Sequence, residues 1–136
     1  MCPDCTHCID YLGNEEVATS DESCLEMPMA VLINGDSYSA AEFFAAALEE
    51  YDWAITVGEP TVGKGKFQTV FELNDGSAVG LSIGKYFTPD GISLSDQGGL
   101  IPQIPVDVDE ETAAEIYGGL LPLEEDPQVL AALDAL

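Results

Sequence analysis

Between Met29 and Gly58 a short apolar run, a turn, an Ala-rich stretch and a second apolar run follow one another with little slack. Met29 to Ile33 has the length and content of a strand buried on both faces, and Asn34-Gly35-Asp36 closes it with turn chemistry. Ala40 to Tyr51 is rich in good helix formers, and Ala54 to Val57 makes a second buried strand that ends at Gly58. A helix between two such strands returns the chain to the end it left, so the strands are expected to pair in parallel.

The rest is punctuated by turns. Phe67 to Leu73 and Ser77 to Ile83 flank Asn74-Asp75-Gly76, residues that tolerate left-handed backbone, and a hairpin is expected there. Pro89-Asp90-Gly91 and Gly98-Gly99 mark further turns, Asp109 to Tyr117 reads as a short helix, and Asp126-Pro127 caps a last helix running to Leu136. The 136 residues make one domain or a substantial piece of one. Residues 1–27 read as an irregular or edge segment bearing cysteines, and the fold proper, 28–136, starts at Pro28. The architecture expected is mixed α/β, with one parallel strand-helix-strand unit joined to a half built on the β-hairpin.

Charge narrows the partners. Three lysines and no arginine stand against 26 acidic residues, a formal net charge of -23, and such a surface repels nucleic-acid phosphates and anionic lipid headgroups. No run of 18 apolar residues exists, and the first residues show neither the basic nor the apolar part of an export signal. Most carboxylates, among them Glu110, Glu111, Glu124, Glu125 and Asp126, need no role beyond solvation.

Two places carry candidate chemistry. Ser39 follows a strand and a Gly-containing turn and opens a helix, where backbone N–H groups and the positive helix end favour developing negative charge. The same residues, Ser39-Ala40-Ala41-Glu42, also fit a capping box, in which the serine only caps the helix. The second place is Gly63-Lys64-Gly65, in a chain whose other basic residues are Lys66 and Lys85. Flanking glycines let the backbone approach another segment closely, and an amine in an apolar pocket sheds its proton readily enough to serve as a base towards a serine hydroxyl. A solvated lysine in a flexible turn is the other reading. Gly58 to Lys64 also fits the first seven positions of a phosphate-binding loop. Gly65 stands where a Ser or Thr would hold magnesium, however, and Lys66 to Leu73 alternates like a strand, so nucleotide binding is set aside.

An ordered series of motifs runs from Pro28-Met29-Ala30-Val31-Leu32-Ile33-Asn34 through Ser37-Tyr38-Ser39-Ala40-Ala41-Glu42, Val57-Gly58-Glu59-Pro60-Thr61-Val62-Gly63-Lys64-Gly65 and Gln68-Thr69-Val70. It continues through Leu73-Asn74-Asp75-Gly76-Ser77 and Lys85-Tyr86-Phe87-Thr88-Pro89-Asp90-Gly91 to Asp126-Pro127-Gln128. This series resembles the carboxyl-terminal processing, or tail-specific, serine peptidases. The resemblance implies a ClpP/crotonase-like protease core, truncated at its N-terminal side. It also implies a serine endopeptidase with Ser39 as nucleophile, Lys64 as base, Gln68 orienting the lysine amine and the backbone N–H of Ala40 as one oxyanion donor. No metal or cofactor is implied. In the family a second oxyanion donor and a PDZ domain come from sequence upstream of the matched part, so the 136 residues are expected to hydrolyse peptides poorly alone. The departures are small: Ala41 replaces a common serine and Glu50 a common aspartate. Partners implied are a protein or peptide substrate and the upstream protease segment and PDZ domain, in an extracytoplasmic or membrane-associated setting. Association into a homo-oligomer through unpaired strands is a further expectation. The alternative is a non-catalytic, protease-derived module that binds peptides or supports assembly.

Cys2, Cys5 and Cys8 surround His7, and Cys24 lies further on. They could gather around zinc, form disulfides in an exported protein, or stay reduced and inert, and the spacing leaves all three open.

Overall fold

The computed structural model describes residues 6–10, 12–18, 23 and 27–136. In chain order the elements are β1 (Thr6–Asp10), β2 (Glu15–Ala18), β3 (Ala30–Ile33), α1 (Ala40–Glu50), β4 (Ile55–Gly58), β5 (Lys66–Glu72) and β6 (Ala78–Phe87). There follow α2 (Leu94–Gln97), β7 (Ile104–Pro105), α3 (Glu110–Tyr117) and α4 (Pro127–Ala135). One sheet is parallel, in the order β3-β4-β7, and the other is antiparallel, in the order β2-β1-β6-β5.

The strand-helix-strand unit forms as the sequence predicts: β3 and β4 pair in parallel, Ala30 opposite Ile55 and Ile33 opposite Gly58. α1 turns Phe43, Ala45, Ala46 and Ala47 inward, and alanine's small side chain lets the helix lie close to its neighbours. The core joins Ile33, Phe43, Ala45 and Ala46 to Leu94 and Leu100, with Val31 and Tyr86 packed against them. α4 packs on β3 and β4. Its start is fixed by Asp126, which is buried and not merely solvated as its place among the surface carboxylates implied, its carboxylate accepting the N–H groups of Gln128 and Val129, and by Pro127 in the first turn.

Four elements go beyond what the sequence pattern names. Within the segment read as irregular or edge, β1 and β2 form a hairpin whose β1 pairs with β6, His7 opposite Phe87, leaving β2 as an outer strand. That partner lies some eighty positions away, so no local pattern announces it. α2 and β7 were not expected either. α2 is a single turn that buries Leu94 in the core, and β7 is a two-residue strand recruited by β4. Both are too short to leave a periodicity.

Two aromatic contacts meet at Tyr86, one joining the antiparallel sheet to α1 and one within that sheet. The Tyr86 ring on β6 stands 5.3 Å from Phe43 of α1 and 5.2 Å from Phe67 of β5, both tilted. The Phe67 ring lies directly over Gly84, where any Cβ would collide with it. Beyond this junction residues 70–82 of the β5–β6 hairpin are exposed on both faces, Val70, Phe71, Leu73, Val79 and Leu81 among them.

Candidate active site

The loop between β3 and α1 is tightly turned. Asn34 accepts the N–H of Ser37 through its carbonyl and the N–H of Asp36 through its side chain, while its own N–H donates to the Ser37 hydroxyl. Tyr117 of α3 fastens this loop from outside, donating its hydroxyl to Asp36 at 2.6 Å and accepting from the Asn34 side chain at 2.9 Å. Asp36 holds the phenol proton, raising the Tyr117 pKa above its ordinary value.

The loop delivers Ser39 to the N-terminus of α1 with φ 59° and ψ -123°. A serine in that region is held against its own preference, at a cost of roughly 1–3 kcal/mol, and such positions cluster at functional sites. The next residue, Ala40, is the first of α1, so its N–H has no acceptor within the helix.

The lysine segment lies alongside. Val62 donates its N–H to the Ser37 carbonyl at 3.1 Å, and Thr61 exchanges two bonds with Leu100: N–H to carbonyl at 3.1 Å, and hydroxyl from N–H at 2.8 Å. The glycines around Lys64 do what close approach requires. A Cβ on Gly63, at φ +83°, would meet the backbone N of Gly99 at 2.8 Å, and one on Gly65 would meet the backbone N of Ser95 at 2.9 Å. Of the reading as a solvated lysine in a flexible turn, the flexibility is corrected, since both glycines are pinned against neighbouring backbone, while Lys64 itself is exposed and not enclosed in an apolar pocket.

Glu42 joins the two segments. Its side chain is fully buried at 0% exposure. One carboxylate oxygen, Oε2, accepts the backbone N–H of Ser39 at 2.7 Å and that of Lys64 at 2.9 Å; the other, Oε1, accepts the N–H of Gly63 at 2.6 Å and the Thr61 hydroxyl. The capping-box spacing pointed only to the first of these bonds. The other three come from residues about twenty positions on, and no sequence pattern links them.

The remaining candidates sit as follows. The Lys64 amine is exposed and lies over the Tyr38 ring, 5.4 Å from its centroid, and among the described residues no hydrogen bond joins it to the Ser39 hydroxyl. Gln68 is exposed on β5 and makes a long contact, 3.4 Å, with the Ser82 hydroxyl on β6. A register shift between Phe67 and Gln68 interrupts the alternation that would set Lys64 and Gln68 on one face. Glu50, the replacement for an aspartate, accepts the N–H of Asp90 and so ties the end of α1 to the turn after β6. Cys2, Cys5 and Cys24 lie outside the described residues, as does the side chain of Cys8. No cluster of metal-ligating side chains occurs among the described residues.

The sequence and the fold both match known peptidases. The model of peptidase family S41 matches residues 9–106. The chain is 37% identical over 125 residues to the chloroplastic carboxyl-terminal-processing peptidase 2 of Arabidopsis thaliana, covering 92% of this chain and 22% of that protein. It is 35% identical over 129 residues to the carboxyl-terminal-processing protease of Synechocystis sp., covering 94% of this chain and 29% of that protein. The solved photosystem II D1 C-terminal processing protease superposes with a TM-score of 0.71 at 32% identity, over 78% of this chain and 28% of that one. The chain belongs to peptidase family S41, and its mixed α/β fold is that of the family's protease core. It spans between a fifth and a third of the length of these relatives. No helix among the described residues is long and apolar enough to cross a membrane.

Proposed function

We propose that this chain carries the catalytic serine and lysine of a carboxyl-terminal processing endopeptidase. The observation that carries the reading is the left-handed backbone of Ser39 at the start of α1, fastened to the segment that bears Lys64. In the proposed reaction the Ser39 hydroxyl attacks the scissile carbonyl carbon, its proton passes to the Lys64 amine, and the oxyanion takes a hydrogen bond from the Ala40 N–H. The resulting ammonium then protonates the departing nitrogen; water, deprotonated by the same lysine, attacks the ester carbonyl, and the lysine returns that proton to the Ser39 oxygen as the carboxylic product leaves. Lys64 is proposed to reach the hydroxyl by swinging off the Tyr38 ring. Gln68 is proposed to steady the amine in that position, leaving its weak contact with Ser82.

The substrate class is an unstructured protein or a peptide. The whole protein is proposed to act outside the cytoplasm or at a membrane, as the family resemblance implies, together with the upstream protease segment and PDZ domain of that family. The 136 residues alone are proposed to turn substrate over slowly, since they span under a third of the relatives and leave an apolar hairpin uncovered. One observation favours a non-catalytic peptide-binding module instead: the Lys64 amine rests on Tyr38 rather than on Ser39.

The test separates the two. Hydrolysis of an unfolded protein substrate is compared for the protein, Ser39→Ala and Lys64→Met. Loss of the nucleophile is expected to lower kcat by about a thousand-fold or more. Measurable turnover that is equal for all three would favour the binding module.

A further inference from the structure

Glu42 is a carboxylate taken wholly out of water with no ammonium or guanidinium paired to it among the described residues. A buried charge is tolerated only when hydrogen bonds replace its hydration, and here four donors do so. Capping α1 does not require this. Asp109 caps α3 from a solvent-exposed position, accepting a single N–H from Thr112. What burial adds at Glu42 is three donors from Thr61, Gly63 and Lys64, and one oxygen that holds the N–H groups of Ser39 and Lys64 together.

We propose that Glu42, backed by Thr61, is the positioning residue of the site, setting the strained backbone of Ser39 and the lysine loop in one fixed relation. The proposal rests on the reading of Ser39 and Lys64 given above and adds the group that aligns them. Glu42 touches no substrate in this role and acts only through the backbone it grips. Its chemistry is specific. All four partners are donors, so an amide in place of the carboxylate turns one acceptor oxygen into a donor and sets it against two N–H groups or against an N–H and a hydroxyl. Thr61 is equally determined: its buried hydroxyl donates to Glu42 and accepts from the Leu100 N–H, a pairing that serine preserves and valine abolishes. A misplacement of the reacting groups by about 1 Å is enough for a hundred-fold loss of rate.

The experiment measures three quantities in the protein and in Glu42→Gln, Thr61→Val and Thr61→Ser. These are the rate at which a fluorophosphonate labels Ser39, kcat and KM on a peptide, and amide hydrogen exchange at Gly63 and Lys64. Expected for Glu42→Gln are labelling and kcat lower by about a hundred-fold, a KM that moves far less, and faster exchange at both amides. Thr61→Val should follow in the same direction, and Thr61→Ser should recover most of the loss. If Glu42→Gln does not fold, the two Thr61 variants decide the matter alone. Wild-type labelling and turnover in both Glu42→Gln and Thr61→Val would overturn the positioning role and leave the Ser39 reading intact. A Thr61→Ser as impaired as Thr61→Val would overturn it too, since packing rather than the hydroxyl would then matter. A wild-type protein that is neither labelled at Ser39 nor slowed by Ser39→Ala would remove the site reading itself, and this inference with it.

Discussion

The loop pair around Ser39 and Lys64 and the outer half of the β5–β6 hairpin are built in opposite ways. In the first, glycines press backbone against backbone and a buried carboxylate gathers the free N–H groups. In the second, a regular ladder leaves Val70, Phe71, Val79 and Leu81 in solvent. The difference teaches where this chain spends its precision. The backbone N–H groups of Ser39, Gly63 and Lys64 are all paired where the candidate chemistry lies, while apolar surface remains open where another segment or another copy could cover it.

Phenylalanine gives the sharpest contrast. Phe43 is 6% exposed in the core and Phe71 is 45% exposed on the hairpin. Phe43→Ala is expected to cost about 3–5 kcal/mol in urea unfolding and Phe71→Ala about 1 kcal/mol or less. Comparable losses would mean that the hairpin is covered in the folded protein.

Glycine gives the next. Gly63 and Gly76 share φ +83°, but a Cβ on Gly63 collides with Gly99 whereas one on Gly76 meets nothing within 4 Å. Gly76→Ala should cost only the left-handed backbone, about 1–2 kcal/mol, and Gly63→Ala about 3 kcal/mol, with the added loss from overpacking. Thermal unfolding of the two variants measures the gap; equal shifts would contradict the close packing of the lysine loop.

The smallest effect is in pH. The Thr112 N–H holds the Asp109 pKa below its ordinary value, so the stability this cap adds to α3 is present above about pH 4 and is lost as the pH falls through the lowered value. Tyr117 runs the other way. Its pKa is raised by Asp36, so its contribution is present below about pH 10 and is lost as the pH rises through the raised value. Phenolate absorbance against pH should show a late component from Tyr117, and Asp36→Asn should shrink the delay.

Much of this was legible in advance. The apolar runs at Met29–Ile33 and Ala54–Val57 and the Ala-rich stretch between them carried their own periodicity and gave β3, α1 and β4 in parallel. Asn74-Asp75-Gly76 placed the hairpin turn, and Asp109 and Asp126 placed two helix starts, because caps and turns are chosen by adjacent residues. Ser39 at a helix start and Lys64 between glycines were visible for the same reason.

What the tertiary structure decided concerns groups far apart in the chain. Pairing of β1 with β6, recruitment of β7 and burial of Leu94 by a single turn depend on partners that local pattern does not name. The register shift at Phe67 and Gln68 turned Gln68 towards Ser82, which alternation alone does not foresee. Glu42 shows the division within one residue. Its spacing from Ser39 was enough to predict a cap, because that bond lies within one helical turn. Its grip on Thr61, Gly63 and Lys64 exists only because β3 and β4 lie side by side and bring the loops after them to the same end of the sheet.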